Sequence, residues 1–337
     1  MSRVIQTLAV IALYAILGCS LAEARAADTS AKMSLIFGGD LMLDDGPGRV
    51  IAAGGDPLAG LAPFLASADY RIANLECPVA TTGEAMASKI FTFRARPEVL
   101  RVLQKRFDAL SVANNHAGDY GKAAFLETLA NVDAYGFARF GGGRNLSEAH
   151  TPLWINRNGL RIAILGYDEF KPRSFEAGPD WPGIAWSEDS HVVADIRAAR
   201  RAGADLVIPF MHWGWEREPK PTERQRRLAR IMIDAGADMV VGTHPHITQG
   251  AEIYRGKPIV FSLGNLVFDS FKSDELRTGW LLHLTLDKKG VARWHTRVAF
   301  MDENGVPSLR DTASPCGQRG NSQVLLCKPE ASTSTQP

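Results

Sequence analysis

Seven times along this chain a short aliphatic run of strand length ends in a polar cluster, and helical-period stretches fill most of the intervals. Residues 34–37 lead into Gly38-Gly39-Asp40, 70–73 into Asn74-Leu75-Glu76, and 109–112 into Asn114-Asn115-His116. Residues 161–165 then lead into Gly166-Tyr167-Asp168, 205–210 into Met211-His212-Trp213, 238–241 into Gly242-Thr243-His244-Pro245-His246, and 258–263 into Gly264-Asn265. Helical periodicity covers 57–66, 97–106, 122–135, 189–201 and 222–235. Pro97 and Pro221 stand at helix starts, and Gly136, Gly203 and Gly236 at stops. Strands alternating with helices predict an α/β fold, a mainly parallel sheet with helices outside it. The phrase Ala202-Gly203-Ala204-Asp205 returns as Ala235-Gly236-Ala237-Asp238, each time closing a basic amphipathic helix, and a single recurrence marks a reused junction rather than a solenoid.

The pattern changes after Phe268. Residues 280–286 and 293–300 alternate apolar and polar types around Asp287-Lys288-Lys289-Gly290, which predicts a hairpin finishing a sheet edge. No Pro- or Ser-rich linker separates a second domain, so residues 27–310 read as one unit. From Asp311 the chain is expected to be poorly ordered, down to Ala331-Ser332-Thr333-Ser334-Thr335-Gln336-Pro337.

The N-terminus carries its own message. Arg3, a nearly all-apolar run over 4–18, and Ala24-Arg25-Ala26 form a signal peptide over residues 1–26 with a mature start near Ala27. An uncleaved anchor is an alternative. Ile16-Leu17-Gly18-Cys19 also resembles a bacterial lipoprotein box, although Leu17 is bulky for it. The expected location is periplasmic or membrane-anchored on the outer side of the inner membrane. In an oxidising compartment Cys316 and Cys327 could close a small loop, leaving Cys77 as the odd thiol. Hydrophobic residues at 45% against 22% charged supply a large core, and a net charge of +1 gives no field to hold a nucleic-acid backbone.

Ligands of open α/β sheets bind at the carboxyl ends of strands, where Asp40, Glu76, Asn115, His116, His212, His244 and His246 all fall. Carboxylate, amide oxygen and imidazole together suit Zn, Mn or Fe, and the lack of a Cys-x-x-Cys pair argues against a thiolate zinc site. Seven groups exceed the needs of one ion. Two ions about 3.5–4 Å apart, bridged by Glu76 or Asp40, could activate a water and clamp substrate oxygens. Taken singly, a histidine after a strand such as His212 is more often capped or hydrogen-bonded than a ligand, and Asn114-Asn115-His116 and Gly38-Gly39-Asp40 could be turns. His244-Pro245-His246 is stronger, because a structural role seldom needs two imidazoles on one rigid turn. Arg94 could grip an anion bidentately or sit solvated. Trp213 and Trp215 could wall the cleft, though core packing is commoner. Asn265 is placed at the rim, and the basic face Lys220, Arg224, Arg226, Arg227, Arg230 reads as solvated.

From about Ser34 to Phe268 these motifs resemble, in order, those of the capsule-synthesis CapA/PgsA family, a branch of the calcineurin-like metallophosphoesterases. The matching motifs are Gly39-Asp40, Asn74-Leu75-Glu76-Cys77-Pro78, Phe91-Thr92-Phe93-Arg94, Asn114-Asn115-His116 with Asp119-Tyr120-Gly121, Met211-His212-Trp213-Gly214, Gly242-Thr243-His244-Pro245-His246 and Ser262-Leu263-Gly264-Asn265. The resemblance implies a four-layer αββα sandwich with two facing sheets. It implies Asp40 and His246 on a first ion, Glu76 bridging, Asn115 as a metal-binding amide, and His212 and His244 on a second ion. His116 would be a proton donor or charge stabiliser facing the substrate, oriented by Asp119. The superfamily's opening Asp-x-His is here Asp40-Leu41-Met42, and its bridging Asp is a Glu. Three functions stay open: work on an anionic envelope polymer such as poly-γ-glutamate alongside capsule-synthesis membrane proteins, hydrolysis of a phosphoester or polymer amide, and a non-catalytic accessory lipoprotein.

Overall fold

The computed structural model describes residues 31–329, apart from 88, 171–172 and 270–271. The signal segment over 1–26 lies outside these, as do residues 330–337. Along the chain, β1 (Lys32–Leu41), β2 (Tyr70–Leu75), β3 (Ala109–Ser111) and β4 (Ala138–Phe140) pair side by side in parallel. The short β5 (Gly142–Gly143) pairs with β8 (Gly183–Ile184) in a separate ladder. A second sheet comprises β6 (Leu153–Arg157), β7 (Leu160–Asp168), β9 (Leu206–His212), β10 (Val240–Thr243), β11 (Ala251–Tyr254) and β12 (Lys257–Val260). The chain then returns to the first sheet through β13 (Asn265–Val267), β14 (Thr278–Asp287), β15 (Gly290–Met301), β16 (Pro307–Arg310), β17 (Ser314–Gln318) and β18 (Leu325–Cys327). Hydrogen-bonded order is β18-β17-β15-β14-β1-β2-β3-β4 in the first sheet, with β13 on β1 and β16 on β15, and β11-β12-β10-β9-β7-β6 in the second.

Side-chain alternation along the strands builds the layers. Met33, Leu35 and Phe37 of β1 meet Leu160, Ile162 and Ile164 of β7 and Leu206, Ile208 and Phe210 of β9 in one buried cluster, so the two sheets face each other. The intervening residues pack outward. On the first sheet Ile36 and Leu281 join Leu61, Leu65, Leu100 and Leu103 from short helical segments. On the second, Ala163, Val207 and Met211 join Val192 and Ile196 of the helix Asp189–Arg201 and Leu228 and Met232 of the helix Glu223–Ala235. The result is the four-layer αββα sandwich, and it explains why the strands read as unbroken apolar runs: both faces are covered.

Local chemistry sets the element limits. Thr222 and Gln225 form a reciprocal cap on the helix Glu223–Ala235, which Gly236 ends at φ 120°. The helix expected over 57–66 is instead a 3₁₀ turn, Ala59–Leu61, followed by a single α turn, Ala62–Leu65, because Pro63 has no amide hydrogen to carry one helix through. The segment after Pro97 is likewise a 3₁₀ turn and a short helix, closed before Lys105 at φ 63°. Sequence periodicity missed the helix Asp45–Ala52, whose Gly46-Pro47-Gly48 conceals it. The stretch after Asp311 corrects its expectation: β17 pairs with β15, β18 pairs with β17, and a Cys316–Cys327 disulfide staples the strands. The covalent loop adds to the burial of β17, whose Ser314, Pro315, Cys316 and Gly317 are all buried. Cys77 is buried and free, its thiol pushed up to about 12 by burial. No described helix is long and apolar enough to cross a membrane.

Candidate metal centre

The site begins at an irregularity in β1. Lys32 to Phe37 pair with β14, but past Gly38-Gly39 the strand shifts register, and Asp40 and Leu41 pair with Asn265 and Val267 of β13. A side chain at Gly39 would put its Cβ 1.9 Å from the Gly264 carbonyl oxygen, so only glycine lets the two segments meet, and the Asp40 amide donates to that oxygen at 3.1 Å. The bulge delivers Asp40, fully buried, to the end of the sheet. Glu76 follows β2 and His212 ends β9, both buried. His244 and His246 follow β10 at φ 95° and 60°, left-handed backbone that costs an ordinary residue about 1–3 kcal/mol. The strain is held by Asp40 Oδ2, which accepts from the His244 amide at 3.2 Å, and by Asn265 Nδ2, which donates to the His246 carbonyl at 3.1 Å.

All six expected ligands converge. His212 Nε2 lies 3.4 Å from Glu76 Oε1, 2.8 Å from Asn115 Oδ1 and 3.0 Å from His244 Nδ1, and its Nδ1 lies 3.9 Å from Asp40 Oδ1. His246 Nδ1 is 3.7 Å from Asp40 Oδ2, and its Nε2 is 3.8 Å from Glu76 Oε1. Two groups of donors within 4.8 Å of one another result, Asp40-Glu76-His212 and Glu76-His244-His246, and Glu76 belongs to both. That shared place is the one expected of a bridging carboxylate.

The electrostatics ask for a cation. Burial, and then the neighbouring Asp40 charge, push the Glu76 carboxyl well above its usual range, and burial raises Asp40 as well. Burial, followed by neighbouring imidazoles, drives His212 and His244 far below theirs. Both Glu76 oxygens and His244 Nε2 are buried without a hydrogen-bonding partner. Orphaned acceptors of this kind are costly in an apolar setting, and a divalent cation would satisfy carboxylate and neutral imidazole together. The donor set therefore fits a divalent metal. Met42, two residues after Asp40, is buried in the apolar core and brings no imidazole or carboxylate to the site.

Beside the cluster, His116 Nδ1 contacts Asp119 Oδ2 at 2.7 Å, and Lys89 Nζ donates to Asp119 Oδ1 at 2.5 Å and to the Asn115 carbonyl at 2.8 Å. Burial lowers the His116 imidazole, so it is neutral, with Nδ1–H committed to Asp119. Its ring packs 4.6 Å from Phe93, and with His246, Phe91 and Phe268 it lines a cavity of about 300 Å³. The cavity, lined also by Asp45, Glu216, Asp269 and Arg217, touches the ligand cluster at His246 and reaches His116.

The family model for the bacterial capsule synthesis protein PGA_cap matches residues 34–270. The chain belongs to that family. It is 34% identical over 254 residues to the PGA biosynthesis protein CapA of Bacillus subtilis (strain 168), covering 74% of this chain and 66% of the relative. To the capsule biosynthesis protein CapA of Bacillus anthracis it is 31% identical over 247 residues, covering 71% and 60%. To a probable polyglutamine synthesis accessory protein of Mycobacterium tuberculosis it is 32% identical over 240 residues, covering 65% and 61%. The chain thus spans 66% or less of the length of these curated relatives. A solved structure of a hypothetical protein from Thermus thermophilus shares the fold, with a TM-score of 0.53 at 16% identity over 79% of this chain and 98% of that one.

Within the PGA_cap segment, three expected residues have other placements. Trp213 is fully buried among the outer-layer core residues and donates its indole N–H to the Phe261 carbonyl at 2.8 Å, so it packs the second sheet and walls no cleft. Arg94 Nη1 donates to the carbonyls of Thr82 and Gly83, both at 3.0 Å, and its guanidinium lies 4.2 Å from the Tyr120 ring centroid, contacts that include none of the six expected ligands. Asn265 lies inside the site, with Oδ1 2.9 Å from His246 Nδ1, and fixes that ring. The sequence reading missed Asn74, Asn114 and Lys89 as site residues. Asn74 Nδ2 donates to Asp40 Oδ1 at 2.8 Å and lies 3.2 Å from His212 Nδ1, while Asn114 Nδ2 donates to Asn74 Oδ1 at 3.0 Å. Both asparagines stand beside named ligands, and that adjacency was the available signal. A single loop lysine gives none.

Proposed function

We propose that the chain is an exported protein that acts on an anionic envelope polymer of the poly-glutamate type, through one or two divalent ions held by Asp40, Glu76, Asn115, His212, His244 and His246. The observation that carries this reading is the Glu76 carboxylate, buried among three imidazoles with neither oxygen hydrogen-bonded. The printed descriptions of the relatives, PGA biosynthesis, capsule biosynthesis and polyglutamine synthesis accessory, support the choice of polymer. A bound divalent ion supplies positive charge and Lewis acidity against which ligand carboxylate or phosphoryl oxygens settle. The chain's own part is to hold His212 and His244 toward their neutral forms by burial, to orient His212 through Asn74 and Thr243, and to orient His246 through Asn265. Capsule-synthesis membrane proteins are the partners this role requires.

A second reading, hydrolysis of a phosphoester or of the polymer's amide bonds, is favoured by His116. A metal that merely stabilises the fold has no need of a buried imidazole held by Asp119 and Lys89 at the cavity wall. The deciding experiment is to purify the mature chain, measure its metal content, and incubate it with a phosphodiester, a phosphomonoester and poly-γ-glutamate with and without added Mn. Metal-dependent retention of the polymer supports the first reading, and metal-dependent cleavage the second. A metal content near zero, unchanged by added Mn, overturns both. Mass measurement of the mature N-terminus tests export, by cleavage near Ala27 or lipidation at Cys19.

A further inference from the structure

On the outer face of the first sheet, along β14 and β15, apolar packing gives way to arginine and histidine side chains, of which His283 is held toward its neutral form by burial. Leu281, Ala299 and Met301 lie in the helix-covered core, and at the same alternation along these strands come His283, Arg293, His295 and Arg297. His283 and His295 are cross-strand partners whose rings stack with centroids 4.9 Å apart. Phe64 stands over them at 6.1 and 6.3 Å and beneath the Arg297 guanidinium at 5.8 Å. The stapled segment closes the other side: His295 pairs with Cys316, and Cys327, Lys328 and Pro329 line the wall. The space enclosed is a cavity of about 320 Å³, and among the described residues no carboxylate lines it.

A row of basic residues is usually a solvated face, and Arg293 and Lys328 at its ends are exposed, but its middle is covered. His283 Nδ1 and Arg297 Nε are buried with no hydrogen-bonding partner, and the acid that pairs with Arg297, Asp311 at 3.1 Å, is itself 90% exposed. Arg293 and Arg297 are four residues apart on one strand, or roughly 13 Å, so a single small anion cannot serve both.

We propose that this cavity is a second ligand site, which takes an extended chain bearing several carboxylates along the row Arg293, His283/His295, Arg297 and Lys328. The identity of the ligand rests on the polymer reading above; the site itself is independent of the metal centre. Its wall depends on the Cys316–Cys327 staple, which lies outside the segment matched by the PGA_cap model.

The test uses the full metal-replete chain and a γ-linked glutamate oligomer, with affinity read by calorimetry and location by amide hydrogen exchange. The expected result is slowed exchange in β14, β15 and β17 around residues 283, 295 and 316. Arg297→Gln should weaken affinity at least about fivefold, and Arg293→Gln with Arg297→Gln should abolish the slowing. Lys328→Gln, on an exposed position that the core does not need, should lower affinity at least about twofold even if the arginine variants unfold. Slowed exchange only around the metal-centre loops, or an unchanged affinity in Lys328→Gln, overturns this site while leaving the polymer reading standing. No binding of the oligomer anywhere overturns both. Inorganic phosphate displacing the oligomer at equal concentration would make this a single-anion pocket, which also overturns the proposal.

Discussion

His116 Nδ1 lies 2.7 Å from Asp119 Oδ2, which also accepts from the Phe93 amide at 2.8 Å, while Lys89 donates to Oδ1 at 2.5 Å. An ionised carboxylate can only accept, so Asp119 fixes the tautomer of His116 and leaves Nε2 for the ligand. If the chain is a hydrolase, His116→Ala should retain bound metal and lose turnover by about 10²–10⁴-fold, the usual share of a general acid. Asp119→Asn should retain metal too and lose less. Metal analysis alongside a single-turnover assay separates the two effects, and full activity in His116→Ala would remove the residue from the chemistry.

Metal retention itself should depend on Glu76. Because Glu76 belongs to both donor groups, Glu76→Gln should reduce bound metal to near zero, whereas His244→Ala, which touches one group, should leave part of it. Glu76→Gln should also raise the melting temperature of the metal-stripped chain, since it removes a buried carboxylate whose charged form has no partner. Elemental analysis and a melting curve on the same samples check both.

The pH dependence follows from the same burial. Raised Glu76 and Asp40 carboxyls bind protons more readily in the fold than in the unfolded chain, so in the metal-free protein their contribution falls as pH rises from the unfolded value toward the folded one. Lowered His212 and His244 act oppositely: their contribution is lost as pH falls below the unfolded value of 6.5 toward their depressed folded values. Metal needs ionised carboxylates and neutral imidazoles, so both sets favour it at higher pH. The rise in melting temperature on adding Mn should be larger at about pH 7.5 than at about pH 5.5, and an equal rise at both would mean that these residues are not the ligands.

Gly39→Ala tests how the bulge builds the site. Its Cβ would stand 1.9 Å from the Gly264 oxygen, and backbone on both sides leaves no flexible atom to yield. A loss of about 3 kcal/mol or more in denaturant unfolding is expected, with metal content falling as Asp40 moves. Gly54→Ala tests the rival explanation, simple loss of glycine. Gly54 has nothing within 4 Å of its Cβ and carries φ 86°, so it should cost only the strain of its backbone and keep the metal.

What was legible in the sequence divides along physical lines. The strand-end polar clusters were visible because a doubly covered sheet writes its strands as apolar runs, and the first polar residue after each run falls at the carboxyl edge. The facing of two sheets was not, since alternation cannot tell whether a buried face meets a helix or another sheet; the resemblance supplied it. Trp213 was misplaced because its neighbour His212 is an expected ligand, yet alternation along β9 sends the next residue to the opposite layer. Lys89 was invisible because its role depends on a loop folding over Asp119, which no local pattern encodes. The tail was underread because two cysteines 11 positions apart fix strands that composition alone would leave loose.

Thiol chemistry gives a final prediction. Cys316 and Cys327 are paired, and Cys77 is buried with its thiol pushed up to about 12, so the thiolate that reacts is suppressed at neutral pH. If the leader is removed, Cys19 goes with it. The mature native chain should then show no fast-reacting thiol, and one after unfolding without reductant. Replacing Cys316 and Cys327 with Ser removes a loop constraint worth roughly 3 kcal/mol. Because β17 and β18 hold to the molecule chiefly through β15, the loss should appear first as faster amide exchange over residues 314–327, with β1, β2 and β9 unaffected. Uniform acceleration across both sheets would show instead that the staple supports the whole sandwich.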